Sequence, residues 1–157
     1  MGDHFLISMR FDKQTLTDFG LIPSEEADVF VRQSDGSKWK ARPSYDFGWG
    51  KENGCYKVPM PDFNELINII MYSKDNDDKY GAAAVLLDDF CDELLDRCFE
   101  ILADDKNVKR YSEFFKILNL QSPINRSPIV GKHYSRIAED FEKWKTLARE
   151  VNSILEK

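Results

Sequence analysis

The sequence has few of the residues that build metal and redox sites. Its 157 residues include three cysteines and two histidines, and no Cys-x-x-Cys pair occurs. A structural zinc site needs about four nitrogen or sulfur ligands, usually in closely spaced pairs. An odd number of cysteines without an export signal favours reduced thiols. We therefore interpret Cys55, Cys91 and Cys98 as small buried hydrophobic residues, and we expect no metal or other cofactor.

Long hydrophobic runs are also missing. The longest apolar run, Ala82 to Leu87, is far shorter than the roughly 20 residues that a membrane-spanning helix needs. The first residues, Met1 to His4, contain no basic stretch of the kind that opens a signal peptide. The sequence therefore predicts a cytoplasmic protein that makes no membrane contact.

No catalytic motif is recognisable. The chain lacks G-x-S-x-G, the P-loop and G-x-G-x-x-G. The acidic run at 75–78 fails as a calcium loop, because Tyr80 stands where glycine must turn and Leu86 where a bidentate glutamate is needed. Cys55 with His133 as base would be supported by residue type alone. We expect no enzyme; the alternative is a small enzyme with a pocket where sheet and helices meet.

What the sequence does contain is enough apolar surface for a packed core. Hydrophobic residues make up 42% and aromatic residues 13%, which predicts a single domain over 1–157. Residues 1–61 are strand-rich. The Asp-Gly pair within 34–37 predicts a hairpin between 28–33 and 38–42, which Pro43 would end. The turn residues around 48–54 indicate a loop before a further short strand.

Residues 62–157 follow a helical period instead. Asp62 is placed to cap the first helix, and the run 74–79 is interpreted as a solvated linker. Whether 80–103 forms one helix or two joined near 88–92 stays open, with two favoured. Asn107 could cap another helix, Ser127-Pro128 could start one, and the last should end near Leu155. The prediction is an α+β fold: a small N-terminal antiparallel sheet followed by four to five helices, mainly α.

Charge is distributed unevenly along the chain. Residues 62–105 carry 3 Lys/Arg against 13 Asp/Glu, a net charge of −10, whereas residues 106–157 carry a net charge of +5. An acidic segment of this size repels nucleic acid and attracts basic proteins. Its outward positions form what we call the acidic ridge, the candidate partner-binding site: Asp88, Asp89, Asp92, Glu93, Asp96 and Glu100.

The acidic ridge can be solvated surface, but its sign bias is unusual for that. A soluble helix normally mixes signs to gain i,i+4 pairs, whereas Asp92 with Asp96 and Asp96 with Glu100 are like-charged pairs. A basic partner could relieve this repulsion. The protein's own basic C-terminal third is the competing source of positive charge.

A second candidate surface is aromatic. It interleaves aromatic residues with glycine and lysine, as surfaces that grip peptides do: Trp39, Tyr45, Phe47, Trp49 and Tyr56. Such residues also complete the core of a small sheet that lies on helices. If they are exposed, the protein could form a homodimer through them.

The stretch Tyr80 to Leu87, followed by Asp92-Glu93-Leu94-Leu95, resembles a helical hairpin of the HEAT-like kind. Similar stretches occur in small bacterial proteins that include immunity proteins of toxin systems. The resemblance implies a binding protein without catalysis. Together with the charge pattern, it predicts a cytoplasmic module whose acidic ridge sequesters a basic protein, such as a toxin.

Overall fold

The computed structural model describes residues 1–8, 13–46 and 51–156. Its N-terminal part contains a five-stranded antiparallel sheet of spatial order β1-β5-β4-β3-β2. The strands are β1 (Phe5–Ser8), β2 (Leu21–Pro23), β3 (Val29–Arg32), β4 (Lys38–Asp46) and β5 (Lys51–Lys57). A short helix, α1 (Lys13–Asp18), lies between β1 and β2 in the chain.

The predicted hairpin is confirmed as β3 and β4. Gly36 takes a φ of 71° in the turn, and the Asp35 carboxylate accepts hydrogen bonds from the backbone and hydroxyl of Ser37. The prediction that Pro43 ends the second strand is wrong. The register shifts between Arg42 and Tyr45, and such an irregularity accommodates a residue without a backbone N–H.

The predicted loop around 48–54 is wrong at its C-terminal end. Asn53 and Gly54 belong to β5, where they pair with Ser8 and Ile7 of β1. Turn propensity was overridden because β5 lies between two strands that satisfy its backbone on both sides. Residues 51 and 52 also belong to β5, and the rest of the predicted loop, 48–50, lies outside the described residues.

The described residues after the sheet form five α-helices and one 3₁₀ turn (Val108–Tyr111). The helices are α2 (Phe63–Tyr72), α3 (Asn76–Asp89), α4 (Cys91–Ala103), α5 (Ser112–Ile117) and α6 (Tyr134–Leu155). This confirms the predicted α+β fold.

Most predicted helix boundaries are confirmed. The Asp62 carboxylate accepts a hydrogen bond of 2.9 Å from the backbone N–H of Glu65 and so caps α2. The segment 80–103 is two helices, separated at Phe90 with φ −132°. Three details differ: the linker is shorter than 74–79 because α3 starts at Asn76, Asn107 precedes the 3₁₀ turn and makes no side-chain cap hydrogen bond, and α6 begins after His133 rather than near Ser127-Pro128.

The chain forms two compact units, Met1–Ala84 and Val85–Lys157. The first is built on a sheet core that includes Leu6, Leu21, Trp39 and Cys55. The second buries apolar residues of α4, α5 and α6, among them Leu94, Cys98, Phe115, Trp144 and Leu147. The single domain with a subdomain boundary between residues 61 and 62 stays a prediction.

A buried carboxylate holds the N-terminal segment of the first unit. Asp78 is 3% exposed, and its two oxygens accept hydrogen bonds from the backbone N–H groups of Asp3, His4 and Phe5 at 2.8 to 2.9 Å. Asp75 in turn accepts from the N–H of Asp78 at 3.0 Å. The interpretation of 75–78 as a solvated linker is therefore wrong at Asp78, which has exchanged water for three backbone donors.

Replacing Asp78 with alanine should lower the free energy of unfolding by about 3 kcal/mol, because three N–H groups lose their acceptor. Urea denaturation measures the change. Asp3→Ala is the matched control, since Asp3 contributes its backbone N–H to this network, and it should change stability by less than about 0.5 kcal/mol. Equal effects of the two substitutions would contradict the account.

Candidate functional site

The acidic ridge lies on the exposed side of α4 and on the last residues of α3. All six of its side chains are exposed. The opposite side of α4 is apolar and buried through Leu94, Leu95, Cys98 and Ile101. Because the buried residues recur every three or four positions, the acids between them must face outward.

The acids of α4 form two neighbouring lines. Asp92, Asp96, Phe99 and Ala103 follow one another at spacings of four, three and four, which places them along one line of the helix surface. Glu93 and Glu100 are seven residues apart and form the adjacent line. The acidic ridge therefore continues, toward the C-terminal end of α4, into apolar surface.

Asp88 and Asp89 belong to the end of α3, and Phe90 alone separates them from α4. The backbone N–H of Phe90 still bonds to Leu86, and that of Leu94 to Phe90. One linking residue is shorter than the two to five that usually join antiparallel helices. The HEAT-like hairpin therefore stays a prediction.

The chain makes few polar contacts of its own with the α4 part of the acidic ridge. The Ser127 hydroxyl lies 3.4 Å from Asp92 and also accepts a 2.8 Å hydrogen bond from the buried indole of Trp144. Arg97 lies 3.5 Å from Glu100 on the same helix. Within the described part of the chain, no Lys or Arg nitrogen comes within 4.0 Å of the carboxylates of Glu93 or Asp96.

Basic side chains near and on α6 pair with acids of α6 itself. Lys132 lies 2.7 Å from Asp140, Arg136 contacts both Asp140 and Glu139, and Lys145 lies 2.8 Å from Glu142. Glu139 pairs with Arg136, three residues earlier on the same helix. These three cations of the C-terminal third thus pair with acids of α6 and with neither Glu93 nor Asp96.

These ion pairs lower the pKa values of the acids Asp140 and Glu142. The hydrogen bond from Lys132 holds the pKa of Asp140 below its ordinary value of 3.8, with further help from the charge of Arg136. Lys145 lowers the pKa of Glu142 in the same way. A carboxyl with a lowered pKa stabilises the fold above its ordinary pKa, and this contribution disappears as the pH falls through the lowered value.

Asp140→Asn should therefore destabilise the protein by about 1 kcal/mol at pH 7, because it removes a charge-assisted hydrogen bond to a half-buried lysine. The difference from the wild type should shrink as the pH is lowered through and below 3.8. Urea denaturation over this pH range measures both. Glu139→Gln is the control, since its pair with Arg136 is exposed and should contribute little. A destabilisation by Asp140→Asn that is constant with pH would refute the assignment.

Apolar surface borders the C-terminal end of α4, and further exposed apolar residues follow Ser127 in the chain. The loop that Ser127 holds against Asp92 continues into three strongly exposed apolar residues: Ile129, Val130 (92% exposed) and Tyr134 (82% exposed). At the C-terminal end of α4, an open groove of about 390 Å³ is lined by Phe99, Leu102, Ala103, Glu150, Ser153 and Ile154. Neither feature is visible in the sequence, because both depend on which segments pack against α4.

One member of the aromatic surface is buried instead of exposed. Trp39 is fully buried in the sheet core; its indole N–H donates to the Ser37 hydroxyl, and the Arg32 guanidinium lies 4.9 Å above its ring. Its assignment to a surface is wrong, because the strand alternation that exposes Lys40 turns Trp39 inward. Tyr56 is half-buried. The side chain of Tyr45, and Phe47 and Trp49 altogether, lie outside the described residues.

All three cysteines are buried, as expected, and free. Burial, with a smaller effect from the charge of Asp77, raises the pKa of the Cys55 thiol to about 12. Burial also raises the pKa of Cys98 to about 12 and raises that of Cys91. A reactive cysteine requires the opposite shift.

Across the described ranges, no group of three or more His, Cys, Asp or Glu side chains is arranged to hold a metal ion. In the same part of the chain, every helix is too short or too polar to cross a bilayer.

Comparison with known proteins gives no relative: no family model, no curated protein and no solved structure matches this chain.

Proposed function

We propose that this protein is a non-catalytic binding module whose acidic ridge engages a basic protein partner. The observation that carries the proposal is that Glu93 and Asp96 are exposed and, within the described residues, have no cation beside them. Both carboxylates are exposed on α4, and no described lysine or arginine lies within 4.0 Å of them, although α6 packs beside α4. The lysine and arginine side chains that pair with Asp140, Glu139 and Glu142 are already engaged.

Electrostatics and packing would contribute differently to such a complex. Exposed charges of one sign speed the encounter with an oppositely charged protein and weaken the encounter with nucleic acid. Affinity comes mostly from a few apolar anchors near the centre of an interface. Ile129, Val130 and Tyr134 follow Ser127, which contacts Asp92, and their exposed side chains supply apolar surface of this kind.

The resemblance of the segment around α3 and α4 to HEAT-like bacterial proteins suggests the kind of partner. Immunity proteins bind a toxin and block it without chemistry of their own. We therefore propose a cytoplasmic immunity protein that sequesters a basic toxin. The raised pKa of buried Cys55 supports binding over cysteine-based catalysis with His133, one form that the alternative of a small enzyme could take.

The experiment is affinity capture from the lysate of the native host with wild-type protein and a charge-reversed variant, Glu93→Lys with Asp96→Lys. Wild-type protein should retain a protein rich in Lys and Arg. The variant should retain at least about tenfold less of it at low salt, because the attraction becomes repulsion. Mass spectrometry identifies and quantifies the captured protein.

Glu25→Lys with Glu26→Lys is the matched control. It changes the net charge by the same amount at two exposed acids of the first unit. Capture should be unchanged in this control and should weaken with salt in the wild type. Equal capture by the wild type and the ridge variant would refute the assignment of the acidic ridge.

A further inference from the structure

The groove beside the acidic ridge is formed where the C-terminal turns of α4 and α6 meet. Ser127 links the first turn of α4 to Trp144, and the last turn of α4 lies beside Glu150, Ser153 and Ile154. The two helices therefore run in the same direction. The groove lies between their C-terminal ends.

The side chains of the groove are suited to an apolar guest with positive charge near it. Phe99, Leu102, Ala103 and Ile154 form most of the described lining, and Glu150 is the one charged residue among the described residues that line it. Glu100, exposed on α4, adjoins Phe99 in sequence. A volume of about 390 Å³ lies within the range of roughly 300 to 1,000 Å³ that is typical of binding pockets.

The groove is continuous with the acidic ridge. Phe99 and Ala103 lie on the same line of α4 as Asp92 and Asp96, so a segment lying along this helix would meet carboxylates first and the apolar groove next. Binding surfaces commonly combine a charged region that guides encounter with an apolar pocket that holds one anchoring side chain.

We propose that this groove receives an apolar side chain from a basic helical segment of the partner, whose Lys and Arg side chains face Asp96, Glu100 and Glu150. This inference rests on the proposed function and specifies the anchor that the acidic ridge alone does not provide. Charge selects this guest over a second copy of the chain. Two copies meeting at the groove would bring these carboxylates against their equivalents.

The probe is a synthetic helical peptide of about 18 residues with leucine on one face and lysine elsewhere, long enough to form a helix. Its counterpart carries serine for leucine and the same charge. The leucine peptide should bind the wild-type protein at least about tenfold more tightly than the serine peptide by calorimetry. It should also shift the methyl resonance of Ile154 in NMR spectra.

Ala103→Trp tests the groove without adding charge. Ala103 is exposed at the end of α4, so the large side chain would fill the groove and leave the core intact. This variant should bind the leucine peptide at least about tenfold more weakly. Ala138→Trp is the matched control, because Ala138 is exposed on α6 outside the groove lining, and its binding should equal that of the wild type.

The outcomes separate the two proposals. Loss of binding in Ala103→Trp but not in Ala138→Trp, with a shifted Ile154 resonance, supports the groove. Unchanged binding in Ala103→Trp with loss in the Glu93→Lys and Asp96→Lys variant overturns the groove and leaves the acidic ridge standing. No binding to the wild type overturns the groove. Binding that none of these substitutions alters overturns both assignments.

Discussion

Most ion pairs between the described residues of this protein join side chains that are close in sequence. Several of its ion pairs join residues three or four positions apart, because that spacing brings two side chains together on a helix or turn: Arg32 with Asp35, Arg97 with Glu100, Arg136 with Glu139 and Asp140, and Lys145 with Glu142. Where a helix contains both signs, its charges neutralise one another. In α4, which contains mostly acids, the negative charges of Glu93 and Asp96 are left without a described cation beside them.

Because α6 packs beside α4, its lysine and arginine side chains could have paired with the acids of α4. At Glu93 and Asp96 they do not. The basic C-terminal third was the obvious source of counter-charge. Lys132 and Arg136 instead converge on Asp140, a buried acid that needs a partner. A buried carboxylate competes for cations better than an exposed one, since water already stabilises the exposed charge. Glu93 and Asp96 therefore keep their charge, and the proposals of a basic partner and of an apolar anchor beside them follow from that.

The sequence predicted best what depends on short spacings. The hairpin at Asp35-Gly36, the Asp62 cap and the outward direction of the acids on α4 all follow from patterns a few residues long, and the structure confirms the elements they define. The alternation of side chains along β4 is equally local, but it does not tell which face of the strand is buried. The sequence therefore allowed Trp39 either to lie in the core or to belong to a surface. Only the position of the sheet decides between them.

What could not be predicted depends on residues far apart in the chain. Asp78 is buried because backbone N–H groups more than 70 positions away converge on it. The groove requires the last turn of α4 to meet that of α6, about 50 residues later. Pro43 lies inside a strand because the pairing shifts its register there. Composition and periodicity do not encode such long-range contacts directly.

The most direct test of the central claim needs no partner. If Glu93 and Asp96 are uncompensated within the described part of the chain, Asp96→Asn removes repulsion from Asp92 and Glu100 and breaks no ion pair. The free energy of unfolding in urea at low salt should then stay the same or rise by a few tenths of a kcal/mol. A fall of about 1 kcal/mol or more would show that Asp96 has a stabilising cationic partner within the protein, and it would contradict the account.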